Sequence, residues 1–174
     1  IMTALEYIVK NNLPHPELRI AFTPDEEIGR GVDKIDLKQF DCDYAFTLDG
    51  DICGSIENET FNADSVKIMI KGRSVHPGTA KNQMANAVRI ASDIISSWPQ
   101  EFLPETTEGY QGFIMFDEIK GDVSQCSVNG IVREHDIKKL KWMERLLVRI
   151  VNEKRKKYPL AKIEIEFKEP VSYT

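Results

Sequence analysis

From residue 62 onward the hydrophobic period of this chain changes in a fixed order, and no other feature narrows its fold as much. Val66, Ile68 and Ile70 alternate with polar neighbours, as in a half-buried strand, and Gly72 ends the run. Met84, Val88, Ala91, Ile95 and Trp98 then fall at helical spacing until Pro99. Beyond a polar loop through Pro104 and Gly109, residues 113–119 and 127–133 read as two strands with Gly121 and Asp122 in the turn between them. Ile137, Leu140, Met143, Leu147, Ile150 and Val151 form a second helical stripe that stops near Pro159. Ile163, Ile165 and Phe167 alternate with Lys162, Glu164, Glu166 and Lys168 as a last strand. Strand-helix-strand-strand-helix-strand is the split βαβ, ferredoxin-like order, with two helices on one face of an antiparallel sheet.

The first sixty residues have a different texture. Ile1, Leu5, Ile8 and Val9 repeat at helical spacing, and Asn11, Asn12 and Pro14 stop that helix. Residues 18–22 and 44–48 are short apolar runs that read as strands, residues 55–61 alternate enough to continue as one, and residues 36–40 suit a turn or two of helix. This order predicts β/α units of a larger layered domain. The chain starts inside a helical pattern with no initiator Met, so an internal piece of a longer protein is expected.

Acidic side chains stand where the apolar runs end. Thr23-Pro24-Asp25-Glu26-Glu27-Ile28-Gly29 follows the first, and Thr47-Leu48-Asp49-Gly50 closes the second, with Asp49 twenty-two residues after Glu27. Loops that leave strand ends are where α/β folds build their sites. Divalent metals accept carboxylate oxygens, and a further free carboxylate can act as a general base. A third segment, Val75-His76-Pro77-Gly78-Thr79-Ala80-Lys81, places a histidine on a Pro-Gly turn. Taken singly, an acidic triplet in a chain that is 29% charged is equally a solvated loop capping a helix.

As an ordered set, TPDEEIGRG, TLDG, VHPGTAK, PETTEGYQGF and IVREHD resemble the successive motifs of the tripeptide aminopeptidases of the peptidase T group, among the cocatalytic-zinc exopeptidases. The resemblance runs along essentially the whole chain. It implies a partial α/β zinc-peptidase catalytic domain over residues 1–61, a ferredoxin-like lid and dimerisation domain over 62–170, and a return to the catalytic domain at 171–174. It implies Glu26 as general base, Glu27 and Asp49 as metal ligands, His76 as a lid histidine stabilising the oxyanion, and Arg133 as the arginine that binds the substrate's terminal carboxylate. In dimeric relatives that histidine reaches the neighbouring subunit's site. Two zinc ions are implied for the complete enzyme, with further ligands on both sides of this chain, so the chain alone is expected to be inactive and to hold zinc weakly if at all. The implied partners are a small peptide substrate and a second copy of the chain, joined through the lid. Asn129 and Lys81 are further candidates for the lining of the site. The pattern departs at Asn82, where glycine is usual, and at His135, where an aromatic residue is usual. Another exopeptidase or amidohydrolase of the same architecture, or a stand-alone dimerisation module, are the alternatives.

Plainer readings stand beside these. His76 also fits a turn histidine satisfied by backbone, and Arg133 a surface ion pair with Glu134 or Asp136. His15 and His135 sit in no motif and read as surface residues. Lys138, Lys139, Lys141, Arg145, Arg149, Lys154, Arg155, Lys156 and Lys157 make the second helix basic. That helix lacks the interleaved aromatics of a nucleic-acid surface and the chain carries a net charge of −5, so a solvated outer face is expected and no nucleic-acid partner. No apolar run reaches the ~20 residues that span a bilayer. Cys42, Cys53 and Cys126 are odd in number without CxxC spacing, which favours reduced thiols and a cytoplasmic location over a disulfide framework.

Overall fold

The computed structural model describes residues 1–24, 31, 34–48, 52–56 and 58–168. It divides into two compact units, one taking Ile1–Glu57 and the other beginning at Asn58.

In the first unit, helix α1 (Met2–Lys10) ends where the asparagines predict. Asn12 takes φ 47°, the left-handed turn that closes a helix and that asparagine tolerates better than other side chains. Helix α2 (Leu37–Phe40) is a single turn, started by the Asp36 carboxylate accepting from the backbone N–H groups of Lys38 and Gln39 at 3.0 and 3.1 Å. Arg19 donates to the carbonyls of Gln39 and Phe40 at 2.9 and 3.1 Å, closing the far end of that turn. The strands expected at 18–22, 44–48 and 55–61 are not formed among the described residues. The physical reason is pairing. A strand exists by exchanging N–H and C=O groups with a neighbour, and here Phe22, Tyr44, Phe46 and Leu48 are exposed and have no neighbouring strand.

The second unit follows the predicted order. Strand β1 (Asn62–Lys71), helix α3 (Ala87–Ile95), strands β2 (Phe113–Gly121) and β3 (Gln125–Glu134), helix α4 (Ile137–Lys157) and strand β4 (Lys162–Lys168) succeed one another. The sheet is antiparallel in the order β2-β3-β1-β4, the crossover pattern of the ferredoxin-like fold. Alternation puts Val66, Ile68 and Ile70 of β1 and Val128 and Val132 of β3 under the helices, where they meet Leu140, Met143, Leu147 and Val151 of α4. The opposite face carries Ala63, Lys67, Asn129 and Arg133. Helix α3 turns a different stripe inward from the expected one. Ala87, Ile90, Ala91, Ile94 and the following Trp98 are buried, whereas Val88 is exposed, because the Asn86 cap on Arg89 N–H sets the phase of the helix.

The basic face of α4 is also less solvated than expected. Lys154 is buried and meets Asp93 of α3 at 3.0 Å, and Lys157 meets the same carboxylate at 2.9 Å. Lys141 reaches the buried Asp64 of β1 at 2.7 Å and Glu144 at 3.1 Å, and Arg155 Nε donates to the Ile163 carbonyl at 2.8 Å. Cations that look like a solvent face in one dimension thus tie α4 to its neighbours.

Candidate functional site

Three of the five principal site candidates, Glu26, Glu27 and Asp49, lie outside the described residues. Among the described residues no group of three His, Cys, Asp or Glu side chains is placed to hold a metal ion.

His76 sits on the exposed loop after β1 and caps a short 3-10 turn over Pro77–Thr79. Its Nδ1 accepts from the Gly78 N–H at 3.1 Å, and its carbonyl accepts from Thr79 N–H at 2.9 Å. An acceptor role for Nδ1 puts the proton of the neutral ring on Nε2, which becomes a donor. A Cβ at position 78 would lie 3.1 Å from Nδ1 and 3.2 Å from Cε1 of His76, so a larger residue than Gly78 would push the imidazole aside by a few tenths of an ångström. Asn82 takes φ 58°, so the turn keeps the left-handed conformation that glycine would adopt, in the residue type that replaces glycine most easily. Lys81 beside it is exposed.

Arg133 lies near the end of β3, opposite Ala63 of β1 and Phe113 of β2, on the sheet face away from the helices. Neither expected acidic neighbour pairs with it. Glu134 turns to the helix side, is buried, and accepts from the backbone N–H groups of His135 and Asp136 at 2.8 and 3.1 Å. Its other oxygen leaves no room for a side chain at position 112, where a Cβ on Gly112 would come within 2.4 Å. Asp136 caps α4 through Lys138 N–H at 2.7 Å. Among the described residues, then, Arg133 has no carboxylate partner. Its guanidinium lies over the Phe61 ring, 3.8 Å from the centroid, and its buried Nε makes no hydrogen bond among the described residues.

His135 is half-buried, a departure from its surface reading. Phe61 and Tyr110 pack edge-on against it, with centroids 6.4 and 4.8 Å away. The Tyr110 hydroxyl donates to Glu59, and this short contact holds the phenol proton above its ordinary range. Phe61, Phe113 and Tyr110 were not found by sequence reasoning. Strand register sets Phe113 opposite Arg133 and Phe61, one residue before β1, stacks on its guanidinium, while Tyr110 from the loop before β2 reaches His135. Asn129 is on the same sheet face, four residues or about 13 Å from Arg133 along β3, and donates to Glu118 at 2.5 Å. His76 and Arg133 are not brought together. Arg133 pairs near the start of β1, Lys71 ends it about 26 Å away, and His76 follows beyond that end.

A protein-family model described as peptidase dimerisation domain matches residues 58–159. The chain belongs to the peptidase dimerisation domain family. It is 45% identical over 170 residues to a peptidase T of Brevibacillus brevis, an alignment covering 97% of this chain and 42% of that protein. A peptidase T of Fusobacterium nucleatum is 44% identical over the same length, covering 41% of that protein. The chain thus spans less than half the length of these relatives. In fold it is similar to a tripeptidase from Staphylococcus aureus, with TM-score 0.73 and 18% identity over 95% of this chain and 45% of that one. It is similarly related to the aminopeptidase PepT from Bacillus cereus, with TM-score 0.71 and 19% identity over 98% and 48%. The peptidase dimerisation family is thereby joined to a mixed α/β architecture whose completed unit is the antiparallel sheet and its two helices. Among the described residues no helix is long and apolar enough to cross a membrane.

Proposed function

We propose that this chain is part of a metallo-aminopeptidase that removes the N-terminal residue from tripeptides, with Arg133 anchoring the C-terminal carboxylate. The observation that carries this reading is an arginine on the sheet face away from the helices that has no carboxylate partner among the described residues, its neighbouring acids turned to other work. A guanidinium presents a fork of donors that matches a carboxylate, and its charge persists at every physiological pH. Similarity to peptidase T proteins along 97% of the chain supports the same reading.

The division of labour follows. Glu27 and Asp49 would hold the divalent metal, proposed as zinc, together with ligands from elsewhere in the complete protein; when bound, the ion supplies a Lewis acid for the scissile carbonyl and an activated water. Two carboxylates fall short of the three protein ligands of an ordinary catalytic zinc site, so the chain by itself is expected to be inactive. Glu26, adjacent but free, takes the proton of the attacking water and passes it to the leaving amine. His76, its Nδ1 occupied by Gly78 N–H, offers Nε2–H to the developing oxyanion. Because His76 and Arg133 belong to opposite ends of β1, we assign them to different sites of a homodimer, each lid lending its histidine to the partner. Strands β2 and β4 are the sheet edges through which two lids can pair. Exposed free thiols at Cys42 and Cys53 support a reducing, cytoplasmic setting.

Arg133→Ala in the complete enzyme tests the anchor. A charge-assisted, bidentate contact is worth roughly 1.5–3 kcal/mol, or about 10- to 150-fold in kcat/KM. The variant should lose that factor on a tripeptide and little on its C-terminal amide. Equal discrimination by wild type and variant rejects the anchor.

A further inference from the structure

Arg133 is held by more than strand register. The Phe61 ring lies 3.8 Å from its guanidinium carbon and the Phe113 ring 5.6 Å, one contributed by the residue that precedes β1 and the other by the first residue of β2. Phe61 is in turn braced edge-on by His135, and His135 by Tyr110, whose hydroxyl is fixed on Glu59. The Nε of Arg133 is buried and has no hydrogen-bond partner among the described residues. A guanidinium can grip a carboxylate through its side edge, using Nε and one Nη, or through its end, using both Nη groups. Burial of Nε closes the side edge, and the Phe61 ring covers one flat face. The end remains.

We infer that Phe61 and Phe113 are positioning residues for Arg133, and that this site takes a carboxylate end-on through Nη1 and Nη2. The inference rests on the proposed role of Arg133 as carboxylate anchor. The physical basis is pre-organisation. An aromatic face attracts the cation and replaces water on it, so the long side chain is already in its binding pose and loses less rotamer freedom when the ligand arrives. The nearer ring, Phe61, does most of this. Phe61 is also 46% exposed, so shortening it disturbs the anchor without opening a hole in the core.

Steady-state kinetics of the complete enzyme on a tripeptide and on its C-terminal amide test the positioning. Phe61→Leu should raise KM for the tripeptide by about two- to fivefold, which is what an exposed cation–π contact supplies. It should leave kcat within about twofold and the amide unaffected. Phe61→Tyr should restore wild-type values, and Phe113→Leu should give the same pattern more weakly. Equal effects of Phe61→Leu on acid and amide, or none on either, overturn the inference. Arg133→Ala separates the two levels. If it keeps discrimination the anchor itself falls; if it abolishes discrimination while Phe61→Leu leaves discrimination at the wild-type level, only the positioning role falls. Titrating the dipeptide Ala-Ala into the enzyme, with the Arg133 side-chain nitrogens followed by NMR, checks the geometry. Nη resonances should move while Nε–H stays put; a dominant Nε–H shift overturns the end-on assignment.

Discussion

Residues 1–56 and 58–168 contain equally strand-like apolar runs, yet only the second region turns them into a sheet. Ile68, Ile70 and Val132 are almost wholly buried, whereas Phe22, Phe46 and Tyr44 remain exposed at 69, 83 and 85%. The difference is not composition. Strand β1 has both neighbours, β3 and β4, within a hundred residues of itself, and two helices close over it. The apolar runs of the first region find no pairing partner among the described residues. An alternating pattern states a face; a strand needs the other strand. The second region therefore holds the buried core, and the acidic loops of the first region are where the proposed chemistry resides.

That separation can be broken experimentally. The largest expected effect is Glu26→Gln in the complete enzyme, which should lower kcat by a factor of about 10²–10⁴ while metal content, read by elemental analysis, is unchanged. Activity within about threefold of wild type would move the base elsewhere. Next comes the core. Leu147→Ala should destabilise this chain by about 2–5 kcal/mol in denaturant unfolding, whereas Phe46→Ala should stay within about 0.5 kcal/mol. Similar losses at both positions would show that the two regions fold as one.

The smallest effect is the pH dependence of the lid. Glu144 is raised to about 7, first by burial and then by a hydrogen bond shared with Asp64, against a pull downward from Lys141. A carboxyl raised in the folded state favours the protonated form, so its contribution is complete below its ordinary value of 4.5 and is lost as pH climbs through about 7. Burial pushes Asp93 the same way, but hydrogen bonds from Lys157, Lys154 and Tyr158 outweigh it and hold the group at about 2. Its contribution is present above 3.8 and is lost as pH falls toward 2. Tm should thus decline at both ends, by the equivalent of on the order of 1–2 kcal/mol each. Glu144→Gln should flatten the limb between pH 5 and 7 and leave the acid limb intact; an unchanged upper limb would reject Glu144 as its source.

The order of elements in the lid was legible because period-two and helical spacing report burial along a single chain. The phase of α3 was not. Ala87-Val88-Arg89-Ile90-Ala91-Ser92-Asp93-Ile94-Ile95 offers two overlapping apolar rows, and the Asn86 cap and the seat of Trp98 decide between them. Arg133 could be singled out from its motif, but not its stack, because antiparallel register brings Phe113 to it and Phe61 stacks on it from the residue before β1. The basic helix is exposed at most of its cations, as expected, and differs at Lys141 and Lys154, because Asp64 and Asp93, which bind them, are distant in sequence. The carboxylate motifs at Glu26, Glu27 and Asp49 were readable as a pattern and fall outside the described residues.

Both tryptophans of the chain belong to the lid. Trp98 is buried at the foot of α3, its indole N–H donating to the Phe102 carbonyl at 3.0 Å, while Trp142 on α4 is 40% exposed and touches the same Phe102 edge-on. Selectively excited tryptophan fluorescence therefore originates in the second region alone, with a blue-emitting, quencher-resistant component from Trp98 and a redder, iodide-quenchable one from Trp142. A melt followed at the tryptophans would record the sheet and its helices coming apart, leaving Tyr7 and Tyr44 as the fluorophores that originate before residue 58.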